Sequence, residues 1–383
     1  MRIVFVNQFY LPDDAPTALY LRDLAIYLKE HGHDVTVICS RGSYRGREQY
    51  DSQQMIDGIT VRRIGSSMFS MRSKVGALLR SLSFHKSILG EFRKEDLDAD
   101  IVISMSSPPL IGLAVRKAAL ARGWKTGHWV LNILPGALWE RKEREQIKDA
   151  DLVWTIGNEM AAKLHDYGAS NVETVPLWVR DGMVEVEEEA RQKFRQDRGW
   201  GDDELVIMYS GNMGMAHSFD DIEKAVRKTG EDSSIRWAFF GDGKESHRLK
   251  SLAVDCKQAE YHDYAPAEKI AEHLASADIQ LVTLKSTWDG CAIPCKIQNI
   301  MQAGSPVIFI GPEENSIADW LTESGAGWVV REGNTEALIK AIEEARDEGL
   351  RRSMGKKAEK LAGVMFDINS ALERIRDFIE KVS

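Results

Sequence analysis

The stretch of the sequence best suited to chemistry is residues 287–308, which reads TWDGCAIPCKIQNIMQAGSPVI. Pro294 suits the first turn of a helix, and Gly304 suits its end. Lys296 and Asn299 would then lie three residues apart on one face of that helix. Because a cation beside the unpaired N–H groups of a helix start attracts anions, the segment predicts an anion site.

Two glycine-containing turns precede helical patterns in the same half of the chain. The first, residues 211–218 (GNMGMAHS), follows a buried apolar strand and fits a loop that a phosphate could approach. The second, residues 239–243 (FFGDG), is more typical of a plain connection between a strand and a helix. The loop after the first strand, residues 10–18 (YLPDDAPTA), lacks the Gly-x-Gly-x-x-Gly fingerprint, which disfavours a dehydrogenase. For residues 10–18, an ordinary turn and a ligand-binding loop both remain possible interpretations.

The sequence offers no convincing metal ligands. Cys291 and Cys295 are four residues apart with no further Cys or His set nearby, so we expect no zinc site. The aspartates at 96, 98 and 100 imitate an Asp-x-Asp metal motif, but they precede a buried strand and are expected to form a turn.

These loops need strands and helices to position them. Residues 1–180 alternate short apolar strands with helical patterns, beginning with a βαβ unit over residues 2–39. The alternation restarts after an acidic, polar linker near residues 180–189, and residues 367–382 form one more amphipathic helix. We therefore expect an α/β protein with two parallel-sheet domains. Their ligands should bind beyond the carboxyl ends of the strands.

Composition narrows the functional classes. The chain has 383 residues, 43% hydrophobic and 28% charged, as in globular proteins of two or three domains. The net charge of −9 argues against nucleic acid as the main ligand. No apolar run reaches a membrane span, and the N-terminus lacks the pattern of a signal peptide. We predict a cytoplasmic protein with free thiols rather than disulfides.

The same segments resemble glycosyltransferase family 4, a retaining family of the GT-B fold, in which two Rossmann-like domains face a central cleft. Residues 287–308 resemble its donor-site motif, residues 32–38 (GHDVTVI) its G-H-E-V-x-V strand, and residues 175–179 (VPLWV) its interdomain linker. Residues 107–109 (SPP), 209–214 (YSGNMG) and 293–297 (IPCKI) are similar to a bacterial sub-group around N-acetylfucosamine transferases of surface-polysaccharide synthesis. The resemblance covers essentially the whole chain.

This chain also departs from the family pattern. Asp289 stands where the first glutamate of the donor motif falls, and Asn299 replaces the glutamate that grips the donor ribose. Asn212 and His217 replace the Arg and Lys that usually hold the pyrophosphate. In the first domain, Asn132 replaces an acidic residue of the active-site loop. The usual pair of phosphate-binding cations is therefore absent.

The resemblance implies domains over residues 1–180, which would bind the acceptor, and 181–366, which would bind a nucleotide-sugar, with the helix 367–383 packing back on the first domain. It implies a retaining, metal-independent transferase. The sugar would move from a nucleotide diphosphate-sugar, expected to be a UDP-sugar, to a glycan or lipid-linked acceptor. The donor is a substrate, and no cofactor is expected.

Each predicted site residue receives a role from the resemblance. The diphosphate would be held by Lys296 and the Gly211–Gly214 backbone, with His217 as a helper. Asn299 would bind the ribose, Asp289 the donor sugar, and Asp14 and Asn132 the acceptor side. The predicted site residues are Asp14, Asn132, Gly211, Asn212, Gly214, His217, Gly241, Asp289, Gly290, Cys291, Ala292, Lys296 and Asn299.

Two other functions stay open at this stage: a nucleotide-sugar epimerase on the same fold, and a non-catalytic homologue that partners an active transferase. Residues 69–94 are basic and amphipathic, which predicts weak peripheral contact with an anionic membrane at its inner face. A core-facing helix with a solvated basic back is the alternative for this segment.

Overall fold

The buried alternating strands and helices expected from the sequence are present in a computed structural model, which describes residues 1–44, 49–65, 74–180 and 186–382. The chain divides into two compact units, Met1–Val175 with Leu372–Ser383, and Pro176–Ala371. We call them unit 1 and unit 2. The sequence analysis places the corresponding two boundaries at 180/181 and 366/367. Residues 181–185 of the expected linker lie outside the described part of the chain.

Unit 1 is built around an eight-stranded sheet with the strand order β3-β4-β2-β1-β5-β6-β7-β8. Its two central strands, residues 2–6 and 101–105, are each five residues long and mostly apolar, and both are buried except at Arg2. The elements are β1 (Arg2–Val6), α1 (Pro16–Glu30), β2 (Asp34–Ser40), β3 (Gln53–Ile56), β4 (Ile59–Ile64), α2 (Lys74–Glu91), β5 (Ile101–Met105), α3 (Ile111–Leu120), β6 (Lys125–Val130), α4 (Ala137–Ile147), β7 (Leu152–Thr155), α5 (Asn158–Asp166) and β8 (Val172–Thr174).

The sheet of unit 1 is parallel except at one edge, where β3 pairs antiparallel with β4. Asp57 and Gly58 connect the two strands with φ values of 50° and 74°. This left-handed pair is typical of a two-residue hairpin turn, in which Asp-Gly is a favoured sequence. The sequence analysis expected only parallel strands and did not assign β3.

Unit 2 contains a six-stranded, fully parallel sheet with the strand order β11-β10-β9-β12-β13-β14. Its core packs side chains of the central strands against the flanking helices. The elements are α6 (Glu188–Gln196), β9 (Leu205–Ser210), α7 (Asp220–Thr229), β10 (Ile235–Phe240), α8 (Ser246–Asp255), β11 (Ala259–His262), α9 (Ile270–Ala275), β12 (Ile279–Thr283), α10 (Ile297–Gln302), β13 (Val307–Gly311), α11 (Ser316–Ser324), β14 (Gly327–Arg331), α12 (Thr335–Glu344) and α13 (Glu348–Met365). The last helix, α14 (Ile368–Glu380), begins in unit 2 and lies mostly in unit 1.

The final helix, α14, returns the end of the chain to unit 1, as the sequence predicts. Its residue Glu380 accepts a hydrogen bond from His33 Nε2 at 3.0 Å, and Arg374 donates to the Thr174 carbonyl at 2.9 Å. Buried Ile375, Phe378 and Ile379 supply the apolar face. The α/β architecture with two parallel-sheet domains is therefore confirmed.

The basic segment over residues 69–94 differs from its expected form. Residues 69–73 lie outside the described part of the chain, and α2 covers most of the remainder. Arg80 is not on a solvated basic face, because it is only 6% exposed and donates to the Ser43 carbonyl. Leu79 and Leu82 are exposed instead, while Phe84 and Ile88 face the core.

A search of the described helices for a membrane span found none that is long and apolar enough.

Candidate functional site

The candidate site of unit 2 lies at the point where its strand order reverses. β9 is followed by β10 and β11 on one side of the sheet and has β12 as its neighbour on the other. In open parallel sheets, the loops after these two diverging strands form a crevice that binds ligands. Here these loops are residues 211–219, after β9, and residues 284–296, after β12. They contain most of the residues that the sequence analysis selected.

Lys296 occupies the centre of this crevice. It is the residue immediately before α10, and its amine lies 3.2 Å from the centroid of the Tyr209 ring. A Cβ placed on Gly211 would lie 3.8 Å from the amine, so the Gly211 backbone passes alongside it. Lys296 Nζ is buried and has no hydrogen-bond partner among the described residues. The amine therefore lies beside a glycine backbone and makes no hydrogen bond to a described residue.

The charge of this amine is not compensated in the free protein. Burial alone lowers the pKa of Lys296 well below its usual value. The Tyr209 ring opposes this effect, since a desolvated cation over an aromatic face gains about 2 kcal/mol. Removing an ammonium from water costs several kcal/mol, so desolvation outweighs the ring. An anionic ligand would supply the missing counter-charge.

His217 has a fixed orientation beside Lys296. Its Nδ1 lies 2.7 Å from the Thr283 carbonyl, which can only accept, so Nδ1 carries the proton. Burial, followed by the nearby charge of Lys296, lowers the pKa of His217 to about 3. The neutral ring presents an unprotonated Nε2, which cannot donate to a phosphate. This tautomer disagrees with the helper role on the diphosphate that the sequence analysis gave to His217.

The two glycine turns are in direct backbone contact. Gly211 N–H donates to the Phe240 carbonyl at 2.9 Å, and Met213 N–H donates to the Asp242 carbonyl at 2.9 Å. A Cβ on Gly241 would lie 2.0 Å from the Gly211 carbonyl oxygen, and the φ of Gly241 is 125°. Glycine is therefore required at 241 by packing as well as by backbone conformation. The predicted residue Gly241 is a support for the Gly211 loop.

The other predicted residues near Lys296 in the sequence differ in exposure. Asn212 is exposed, with its carbonyl accepting from the Tyr209 hydroxyl at 2.9 Å, and Gly214 follows it in the same loop. Asn299 Oδ1 is buried and has no partner among the described residues, which leaves an acceptor for a hydroxyl group. The α10 helix that follows Lys296 has only six residues, so its dipole is weaker than the sequence analysis assumed.

Asp289 is positioned by a residue outside the predicted set. Asn315 Nδ2 donates to Asp289 Oδ1 at 2.8 Å, while Asn315 Oδ1 accepts from the Ile317 N–H and caps α11. Gly290 and Cys291 follow Asp289 as buried residues, and Ala292 is partly buried. The Asn315 amide therefore fixes one carboxylate oxygen of Asp289.

In unit 1, the two predicted residues belong to different loops. Asp14 follows β1 and Asn132 follows β6, and both side chains are exposed, with β5 between these strands in the sheet. The neighbouring Asp13 is buried, accepts from the Tyr44 N–H at 2.8 Å, and faces Arg80. Burial raises the pKa of Asp13. The structure thus gives Asp13, next to Asp14, a buried and hydrogen-bonded position after β1.

The Asp-x-Asp sequence forms ion pairs instead of a metal site. Arg2 pairs with Asp98 and Asp100, and its N–H donates to Asp100 at 2.7 Å. Within the ranges that the structure describes, no group of three or more His, Cys, Asp or Glu side chains could hold a metal ion.

Three functional residues escaped the sequence analysis. Each of them contacts a predicted residue. The Tyr209 ring lies beneath Lys296, the Thr283 carbonyl accepts from His217, and the Asn315 amide donates to Asp289. Tyr209 and Thr283 read as ordinary strand residues. Asn315 carried one usable signal, because an asparagine immediately before a helical pattern is a typical N-cap.

Comparison with known protein families accounts for both units. The model described as Glycosyltransferase Family 4 matches residues 17–181. The model described as Glycosyl transferases group 1 matches residues 190–361. The two matches follow one another along the chain, and their junction falls near the division between unit 1 and unit 2.

Two curated relatives are glycosyltransferases. The chain is 23% identical over 269 residues to the probable glycosyltransferase WbjE of Pseudomonas aeruginosa, covering 64% of this chain and 66% of that protein. It is 23% identical over 209 residues to the putative colanic acid biosynthesis glycosyl transferase WcaI of Escherichia coli, covering 53% and 51%. The matched region thus spans only about two thirds and about half of the length of these relatives.

Solved structures show the fold. Sucrose-phosphate synthase from Thermosynechococcus elongatus superimposes with a TM-score of 0.80 at 12% identity, covering 100% of this chain and 99% of that one. HepE of Anabaena, solved in complex with UDP and glucose, has a TM-score of 0.73 at 13% identity and 100% coverage of both chains. The chain therefore has the GT-B fold, and its N-terminal and C-terminal regions match the models described as Glycosyltransferase Family 4 and Glycosyl transferases group 1.

Proposed function

We propose that this glycosyltransferase transfers a sugar, with retention of anomeric configuration, from a UDP-sugar bound by unit 2 to a glycan or lipid-linked glycan acceptor bound by unit 1. The observation that carries the proposal is the buried, unpartnered amine of Lys296 beside the Gly211 backbone at the switch point of the sheet. The complex of HepE with UDP and glucose supports the choice of donor.

The proposed roles follow the positions of the side chains. The Lys296 amine and the Gly211–Gly214 backbone bind the diphosphate. The free Oδ1 of Asn299 accepts from a ribose hydroxyl, and Asp289, held by Asn315, accepts from hydroxyls of the donor sugar. Negative charge grows on the departing diphosphate as the glycosidic bond breaks, so a prepositioned cation stabilises the transition state.

The acceptor side rests on fewer observations. Asp14 and Asn132 contribute exposed polar groups beyond the carboxyl ends of β1 and β6. We propose a cytoplasmic role in surface-polysaccharide or glycoconjugate synthesis, in the sub-group that resembles N-acetylfucosamine transferases. The relative named for colanic acid biosynthesis supports this pathway.

One experiment separates the proposed activity from its alternatives. The protein is incubated with a panel of UDP-, GDP- and ADP-sugars, with and without oligosaccharide acceptors, and free nucleotide and product are measured by chromatography and NMR. Acceptor-dependent release of UDP, with an α-linked product from an α-linked donor, is the expected result. Interconversion of donors without release would indicate an epimerase, and inertness with every donor would indicate a non-catalytic homologue.

Substitution of Lys296 tests the diphosphate site. A charge-assisted hydrogen bond contributes about 1.5–3 kcal/mol, so Lys296→Ala should lower kcat/KM roughly 10- to 150-fold. Part of the loss should appear in kcat, because the charge develops in the transition state. Lys340→Ala, at an exposed position on α12, is the matched control and should leave the kinetics unchanged. Wild-type kinetics in a folded Lys296→Ala protein would remove this residue from the site.

Asn315 provides a test of Asp289. Asn315→Ser retains an N-cap oxygen for α11, whereas Asn315→Ala loses it and should reduce the free energy of unfolding by about 1 kcal/mol. Both variants lose the amide that orients Asp289, and we expect both to lower kcat/KM by roughly fivefold to tenfold. Denaturant titration and steady-state kinetics separate the two effects. An Asn315→Ser protein with unchanged kinetics would contradict a positioning role.

We also propose that transfer needs no divalent metal and no cofactor, because Lys296 supplies the charge that a metal would supply and Asp98 and Asp100 are paired with Arg2. Dialysis against EDTA should leave most of the activity. Complete loss of activity that manganese or magnesium restores would contradict this proposal.

We propose that residues 69–94 contact an anionic membrane peripherally, through a surface with fewer basic residues than the sequence predicts. Its described surface combines exposed Leu79 and Leu82 with exposed Lys86, whereas Arg80 is buried. Each basic residue near an anionic surface contributes about 1 kcal/mol. Co-sedimentation with phosphatidylserine-containing liposomes at low salt should fall in a Leu82→Ser/Lys86→Glu variant and persist in Lys381→Glu. Equal recovery of wild-type protein with and without liposomes would rule the contact out.

A further inference from the structure

Several groups of the described part of unit 2 lie beside the Lys296 amine or act on its neighbour His217. β9 contributes the Tyr209 ring, the following loop contributes the Gly211 backbone and the neutral His217, and Lys285 acts on His217 from the loop after β12. No carboxylate of a described residue forms an ion pair with Lys296 Nζ.

Titratable side chains of the same loops and of neighbouring elements make hydrogen bonds to other groups. Asp289 accepts from Asn315, and Glu332 accepts from the Ser286 N–H at 2.7 Å. His273 of α9 binds the Ser210 hydroxyl at 2.8 Å. α13 packs on α10, and the backbone of Gly355 lies against Gly304, just after α10. The free site therefore has no internal counter-ion for an ammonium group.

We propose that the donor diphosphate binds together with one proton, which the Lys296 amine takes up from solvent in the complex and does not hold in the free protein. This inference rests on the proposed function, since it assumes that a diphosphate occupies the site. The bound ligand supplies two phosphate charges next to Nζ, and a close opposite charge favours the ammonium form. The proton balance is simple: one proton leaves the buffer and one N–H bond forms on Nζ.

His217 does not accept this proton. Its Nδ1–H is committed to the Thr283 carbonyl, and a second proton on Nε2 would place a charged ring beside the charged amine. Burial lowers the pKa of His217 to about 3, far from neutrality. The pair thus carries a single positive charge in the complex, located on the lysine.

Proton uptake makes donor affinity depend on pH in a defined direction. Where free Lys296 is neutral and bound Lys296 is charged, each rise of one pH unit weakens binding roughly tenfold, because one proton enters with the ligand. Nucleotide binding to a permanently charged site shows no such slope over the same range.

The test is isothermal titration calorimetry with UDP at about pH 8.5, where the terminal phosphate of UDP is fully ionised. Titrations in two buffers with different enthalpies of ionisation give the number of protons exchanged. Wild-type protein should take up about one proton per UDP, and its Kd should rise roughly tenfold between about pH 8 and pH 9.

Three variants identify the atom that takes up the proton. Lys296→Arg keeps its charge throughout this range, so it should bind UDP with no proton uptake and a flat pH profile. Lys296→Met should bind more weakly, also without uptake, and His217→Gln should retain the uptake. Uptake that persists in Lys296→Met, or that disappears in His217→Gln alone, would assign the proton to another group and overturn the inference.

The result also distinguishes the inference from the function on which it rests. UDP binding with no proton exchange in the wild type leaves the donor site intact and overturns only the inference. Absence of binding to UDP, GDP and ADP alike would contradict the proposed donor site itself.

Discussion

The site of unit 2 depends on one electrostatic constraint: a lysine amine is buried without a counter-charge. The side chain is held by the Tyr209 ring and by close passage of the Gly211 backbone, and neither can neutralise an ammonium group. Desolvation therefore dominates the free state, and the site is most stable when an anion enters it. His217 near that amine is neutral, with its tautomer fixed by Thr283, and the free oxygen of Asn299 is uncharged as well.

The glycine turns meet a second requirement, which is access. An anion can approach Lys296 closely only if no side chain occupies the position beside Gly211. Gly241 packs directly on the Gly211 carbonyl and so holds the loop in place without a side chain of its own. An amine that is fixed in position before the ligand arrives does not have to move as charge develops on the ligand, which is a condition for effective electrostatic stabilisation.

Much of the fold could be predicted from the sequence, because buried parallel strands read as short apolar runs between helical patterns. Gln53–Ile56 could not, since this edge strand is largely polar, although the Asp57-Gly58 pair after it is a hairpin signal. At the site, the sequence analysis selected Lys296 and Gly211, which the structure places side by side. It did not select Tyr209, because nothing in a strand sequence shows which buried ring will lie beneath a distant lysine. Arg80 misled the analysis for a related reason: a basic residue on an amphipathic helix is exposed in most cases, and only tertiary packing shows that it enters the loops after β1 and β2.

The loss of the usual cation pair at Asn212 and His217 changes how the site handles charge. Two exposed, permanently protonated side chains would attract a diphosphate at any pH near neutrality and would hold it in the ground state as well as in the transition state. A single buried lysine without a partner gives less attraction at a distance and a stronger interaction at contact, because the local dielectric constant is low. An active transferase is compatible with these substitutions if the Lys296 amine alone compensates the negative charge that develops on the departing diphosphate. In the proposed function, Asn212 and Asn299 would contribute neutral hydrogen-bonding groups that orient the ligand, while the buried amine would supply the charge.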